Sequence, residues 1–262
     1  MRSPECGLAR KTCCAKSCAV ILKTAFTILA TASVALAAPK KTTAKPATKT
    51  VAKPAAKVTP KPAAKTYDND GDDHSMFQAP SGAQATLDTA DLAEFSTLSA
   101  TRQKFVSAVL HLTKCRLTYQ FGSSEPANRG MDCSGTIHFL LRYMGLKNPP
   151  RDASSIYLWA QSYGTLKEVR TSDLHDSRLK DLRPGDLLFW EGTYDVGRNP
   201  PISHVMVYLG REKGNGAQVM AGASDGRKYR GVKRNGVSVF DFTLPKPGSR
   251  AVFVGFARVP GL

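Results

Sequence analysis

Apolar positions change their rhythm once along this chain. From residue 87 to 164 they recur every three or four residues, and from 183 to 260 they bunch or alternate in short runs. "LDTADLAEFSTLSATRQKFVSAVLHLTKCR" (87–116) carries Phe105, Val106, Val109, Leu110 and Leu112 at helical spacing, which predicts one long helix or two short ones. "LTYQFGSSEPANRG" (117–130) is a loop by its Gly, Ser and Asn content. A helix then follows Cys133 with Ile137, Leu140, Leu141 and Met144 as its buried stripe, and Gly145 marks its end. "ASSIYLWAQSYG" (153–164) predicts a shorter amphipathic helix. Five runs rich in Val, Phe, Leu and Ile come next: "RPGDLLFWEG", "ISHVMVYLGR", "GAQVMAGAS", "GVSVFDF" and "AVFVGFARVP". Gly, Pro and Asn separate them, the texture of about five antiparallel strands. Helices first and strands afterwards make an α+β domain.

The first third of the sequence does not join that pattern. Residues 1–23 hold five basic residues and one acid, Glu5, and the uncharged run "TAFTILATASVALAA" (24–38) follows. A basic leader, a short apolar stretch and the small-residue exit Ala35-Leu36-Ala37 predict a secretory signal peptide over 1–37. The run is shorter than the ~20 residues a membrane span needs, so no transmembrane helix is expected in the mature chain. Residues 38–79 predict a tether: Lys-Pro recurs at 45, 53 and 61, and residues 38–67 hold eight lysines and no acid. Proline removes backbone donors and the lysines repel one another, so this stretch stays extended. "DNDGDD" (68–73) opens like a calcium loop, but the twelfth position counted from Asp68 is Ala79, where a glutamate ligand belongs. It is read as a polar boundary, and no metal is expected.

Charge follows the same division. The net charge is +16, of which the leader supplies four and the lysines of residues 38–66 eight, so residues 67–262 carry only +4 and are mildly basic. Export points the lysine tether toward anionic envelope polymers or lipid head groups rather than nucleic acid. The chain is therefore expected in the bacterial periplasm, the cell envelope or outside the cell.

Candidate chemistry rests on cysteine and histidine. Removing the leader takes Cys6, Cys13, Cys14 and Cys18 with it and leaves Cys115 and Cys133, too few for a disulfide scaffold or a cysteine-built zinc site. Cys133 lies in "GMDCSGTIHFLLRYMGL" (130–146) at a predicted helix start, with Asp132 able to cap and Ser134-Gly135 leaving the first turn open. Amides and dipole at such a tip lower a thiol's pKa, which predicts an ionised nucleophile. A disulfide to Cys115 is the competing reading. A thiol nucleophile needs a base. His204 opens a strand, whereas His74 lies in the boundary, His111 on the long helix and His175 in a charged loop. His138 is turned off the face of Cys133. The cluster "GRKYRGVKR" (226–234) reads as a solvated hairpin that can meet substrate carboxylates, and Trp159 and Trp190 as core.

Taken together, "DCSG" before an apolar helix, "RPGDLLFW", "ISHVMVYLG" and a terminal "FVGFARV" resemble the NlpC family of cell-wall cysteine peptidases, over about residues 100–260. The resemblance implies a papain-like α+β fold with the Cys-bearing helix packed on the sheet. It also implies Cys133 as nucleophile and His204 as base, then acid. Tyr119, in a segment similar to the family's Tyr-x-x-Gly-Gly, would join the oxyanion hole, with Asp132 and Ser134 lining the cleft. The implied substrate is the peptidoglycan stem peptide, cut after D-γ-glutamate and before a diamino acid through a thioester, with no cofactor. Alternatives are an amidase or transpeptidase using the same thiol, or a wall-binding module that has lost catalysis. The family's third polar residue, which orients the imidazole, aligns here with Gly222, leaving Gln218 or Asp225 as substitutes.

Overall fold

The computed structural model describes residues 84–262. The predicted leader and tether, with the boundary over 68–73, lie outside those residues. Three α-helices come first: α1 (Ala100–Lys114), α2 (Cys133–Tyr143) and α3 (Ala153–Ser162). Between α1 and α2, two short strands, β1 (Thr118–Tyr119) and β2 (Gly130–Met131), pair in parallel. The rest of the chain builds a six-stranded sheet from β3 (Leu166–Glu168), β4 (Leu187–Glu191), β5 (Ile202–Arg211), β6 (Gln218–Tyr229), β7 (Val232–Asp241) and β8 (Val252–Ala257). Its order is β3-β8-β4-β5-β6-β7, with antiparallel neighbours throughout.

The five predicted strands are all present, and the sixth, β3, corrects the expected number. "LKE" is short, polar and largely exposed, so it carries no hydrophobic period; only its ladder with β8 makes it a strand. The 87–116 segment resolves into two 3-10 turns and α1, capped by Ser99, whose side chain accepts from the Arg102 amide.

Strand alternation divides the sheet into two faces. Val205, Val207 and Leu209 of β5, with Leu187 and Phe189 of β4, lie under Ile137, Leu140 and Leu141 of α2 and Phe105, Val106 and Val109 of α1. Burying each such side chain contributes about 1.5–3 kcal/mol, so this layer fixes where the tip of α2 sits. Met206, Tyr208, Leu188, Trp190, Phe253 and Phe256 form a second cluster on the other face. Trp190 is thus core, as expected, whereas Trp159 is half-buried against Tyr163.

Among the described residues no helix is long and apolar enough to cross a membrane.

Candidate active site

Cys133 is the first residue of α2, and its neighbours fix that position. The Asp132 carboxylate caps the helix by accepting from the Gly135 amide, and it also takes the Gly122 amide at 2.7 Å. The Asp132 amide in turn donates to Ser123 O at 3.0 Å. Loop 120–124 is thereby sealed onto the helix tip. Gly135 is what permits this: a Cβ there would stand 2.1 Å from Ser123 O, closer than any real contact.

Behind the thiol lies a residue the sequence reading missed. Arg151 forks onto Asp132, with Nη1 to Oδ1 at 3.1 Å and Nη2 to Oδ2 at 2.9 Å, and Nη1 also reaches Ser134 Oγ at 3.1 Å. Ser134 Oγ donates back to Asp132 at 3.3 Å. Asp132 and Ser134 therefore form, with Arg151, a buried clamp that holds the tip of α2. Arg151 lies 18 residues downstream of the cysteine, just before α3; only its position ahead of the Asp152 cap offered a signal.

The electrostatics run against one expectation. Cys133 is only 4% exposed, and burial pushes its thiol up to about 11, with the Asp132 carboxylate adding to the rise. The amides of Val205 and Ser134 and the charge of Arg151 pull the other way without winning. The helix-tip argument captured the favourable amides and missed the desolvation that outweighs them. In a Cys115→Ser background, alkylation of Cys133 by iodoacetamide is expected to accelerate between about pH 10 and 12, rather than around the ordinary thiol value of ~8.5. A rate that levels off by pH 9 would contradict it.

Two tyrosines stand in the field of the sulfur. Tyr119, on β1, is held by its amide donating to Asn235 Oδ1 at 3.2 Å. Its hydroxyl is pushed far above the usual range, first by burial and then by Cys133 and Asp132, so it stays protonated and able to donate. Tyr194, not singled out in the sequence, is raised to about 12 by burial and next by Cys133. It meets Phe121 edge-on at 6.1 Å, joining loop 120–124 to the 192–201 segment. Beside Tyr194 that segment lines an open depression of about 720 Å³ with Glu191, Arg198, Asn199 and Arg250.

His204 lies on β5 next to Val205, whose amide reaches the sulfur. Cross-strand pairing of β5 with β6 begins only at Val207 opposite Ala221, which leaves this end of β5 parted from β6. The His204 ring lies on the Trp190 face of the strand. Trp190 is its partner across the β4–β5 ladder, with the ring centres 5.8 Å apart. His204 is 8% exposed, and burial followed by the charge of Arg227 holds its pKa well below the usual histidine value. Its Nε2 is buried with no hydrogen-bonding partner.

Neither proposed orienting residue supplies that partner. Gln218 sits opposite Arg211, further along the ladder, and its Oε1 accepts from the Tyr208 hydroxyl at 2.9 Å. Asp225 pairs with Asn235, accepting from Nδ2 at 2.8 Å, and its charge falls on Tyr119. A Cβ at Gly222 would meet Met206 Sδ at 2.9 Å, so methionine fills the space where a side chain from 222 would lie.

The remaining candidates lie apart from this chemistry. No disulfide joins Cys115 to Cys133, which removes that alternative in this structure. His138 binds the carbonyls of Pro149 and Pro150 at 3.1 and 3.2 Å. The structure thus gathers Cys133, Asp132, Ser134 and Tyr119 at one helix tip and sets His204 against them through the backbone of β5.

Residues 116–239 match the NlpC/P60 family. They span the stretch from the loop ahead of Tyr119 through Cys133 and His204 into β7. Searched against curated proteins, the sequence has no match.

Proposed function

We propose, from the place of residues 116–239 in the NlpC/P60 family, that this chain is an exported cysteine endopeptidase of peptidoglycan. That family consists of cell-wall peptidases, generally cysteine enzymes. The observation that carries the proposal is the Cys133 sulfur at the start of α2, touched by the amides of Ser134 and of Val205, the residue beside His204.

In this reading the His204 imidazole takes the thiol proton. The sulfur then attacks the peptide carbonyl, and the developing oxyanion draws on the Tyr119 hydroxyl and the Cys133 amide. Collapse breaks the C–N bond, His204 returns its proton to the leaving amine, and a thioester remains. Water, deprotonated by His204, releases the acid and restores the thiol. The bond cut is the one after D-γ-glutamate and before a diamino acid. The leader and tether deliver the domain to the periplasm or cell envelope, with the tether lysines resting on anionic envelope polymers.

A second reading is favoured by one observation. An imidazole whose Nε2 is buried without a hydrogen-bond partner, together with a thiol raised by burial, also suits a wall-binding module whose catalysis has been lost.

Digestion of purified peptidoglycan with the full chain decides between them. The peptidase reading expects new amino groups, and their release should stop after Cys133 is alkylated at high pH. Sedimentation with the wall and no release of amino groups would leave the binding reading in its place.

A further inference from the structure

The imidazole of His204 has no hydrogen-bonded neighbour at Nε2, and Trp190 Nε1 beside it is likewise buried without a partner. What the ring has instead is a tilted contact with an indole. Trp190 lies against it with the rings 5.8 Å apart and tilted by 56°, and the Arg227 guanidinium sits 4.5 Å from the centre of the same indole. The backbone is shaped to allow this. In the β6–β7 hairpin Asp225 faces Asn235 and Lys228 faces Lys233, so the register slips over Gly226 and Arg227, with Gly226 at φ +97°. A bulge of this kind re-aims a side chain that regular pairing would direct otherwise.

We propose that Arg227, carried on the β6 bulge and stacked on Trp190, is a positioning residue for His204. The proposal rests on His204 acting as the base. A planar guanidinium on an indole face fixes two rings at once, and the imidazole packed against that indole inherits the orientation. The cation also opposes protonation of the ring, which keeps it a neutral acceptor for the thiol proton. Among the described residues, Arg227 from β6 is the charged group that acts on this histidine, whereas Trp190 and Met206 packed about it carry no charge.

The test compares the full chain with Arg227→Met, Arg227→Lys and His204→Ala. Two readouts are used: the pH dependence of kcat/KM for amino-group release from soluble peptidoglycan fragments, and the His204 ring titration by NMR. Arg227→Met is expected to lower kcat about 10-fold with little change in KM. Losing the positive charge should also move the acidic limb and the ring's midpoint upward by about one pH unit. Arg227→Lys should restore the limb and not the full rate, because lysine returns the charge without the planar stack. Wild-type rate and limb in Arg227→Met, or an unmoved ring midpoint, would overturn the proposal. If His204→Ala abolishes release while Arg227→Met is silent, only the role of Arg227 falls. If His204→Ala keeps wild-type activity, the base reading falls and takes this proposal with it.

Discussion

Replacing Arg102 by methionine is expected to destabilise the domain at pH 7 by about 3–5 kcal/mol, measured by urea unfolding. Arg102 reaches from α1 across the core to the segment that enters β4. Its Nη1 donates to Pro184 O at 2.6 Å and its Nη2 to Asp186 Oδ1 at 3.0 Å. Both side chains are buried, 8% and 2% exposed. Even with the guanidinium beside it, burial holds the Asp186 carboxyl above the usual aspartate range, so loss of the cation strands a costly charge.

The sign with pH follows from that direction. An acid whose folded pKa is raised favours folding while protonated, and that contribution is lost as pH rises from the unfolded pKa through the folded one. The deficit of Arg102→Met should therefore shrink as pH falls and the stranded Asp186 takes up a proton. Arg102→Met with Asp186→Asn should recover much of the loss at pH 7, since no unpaired charge remains and the amide oxygen can still accept from Arg183 N. A single-variant loss under 1 kcal/mol at pH 7 would show that the pair only bridges two elements already held by apolar packing.

What the sequence made legible is what local chemistry decides. The Asp132 cap, the Ile137, Leu140 and Leu141 stripe and the five apolar strands all follow from spacing, because burial on one face imposes its period on the residues. Gly222 lies on β6, the strand after the one that carries His204, and Met206 fills the space beside it. What stayed hidden depends on residues far apart in the chain. Arg151 reads as a loop charge until the fold brings it to Asp132. Trp190 reads as core, and it is, but its contact with His204 exists only through the β4–β5 ladder. The helix tip that favours an ionised Cys133 can be seen in sequence, whereas the burial that raises its thiol cannot.

Substituting Cys133 by alanine or serine is expected to lower amino-group release from peptidoglycan by on the order of 10⁴-fold or more. Sedimentation with the wall should stay at the wild-type level, because the substitution alters one buried side chain and leaves the surface unchanged. Stability should change little in either variant. Alanine removes one sulfur atom from the edge of the core, and a serine hydroxyl can accept from the Val205 and Ser134 amides that now meet the sulfur. Serine should nonetheless be as inactive as alanine. Its hydroxyl is a far weaker acid than the thiol, and the His204 ring, held neutral by burial and by Arg227, offers limited driving force for taking its proton. The pairing of unchanged wall binding with lost release is the discriminating result, since a fold defect would lower both together. A serine variant that keeps a tenth of wild-type release would mean that the reaction does not pass through a bond to sulfur at this position, and the thioester route would have to be abandoned.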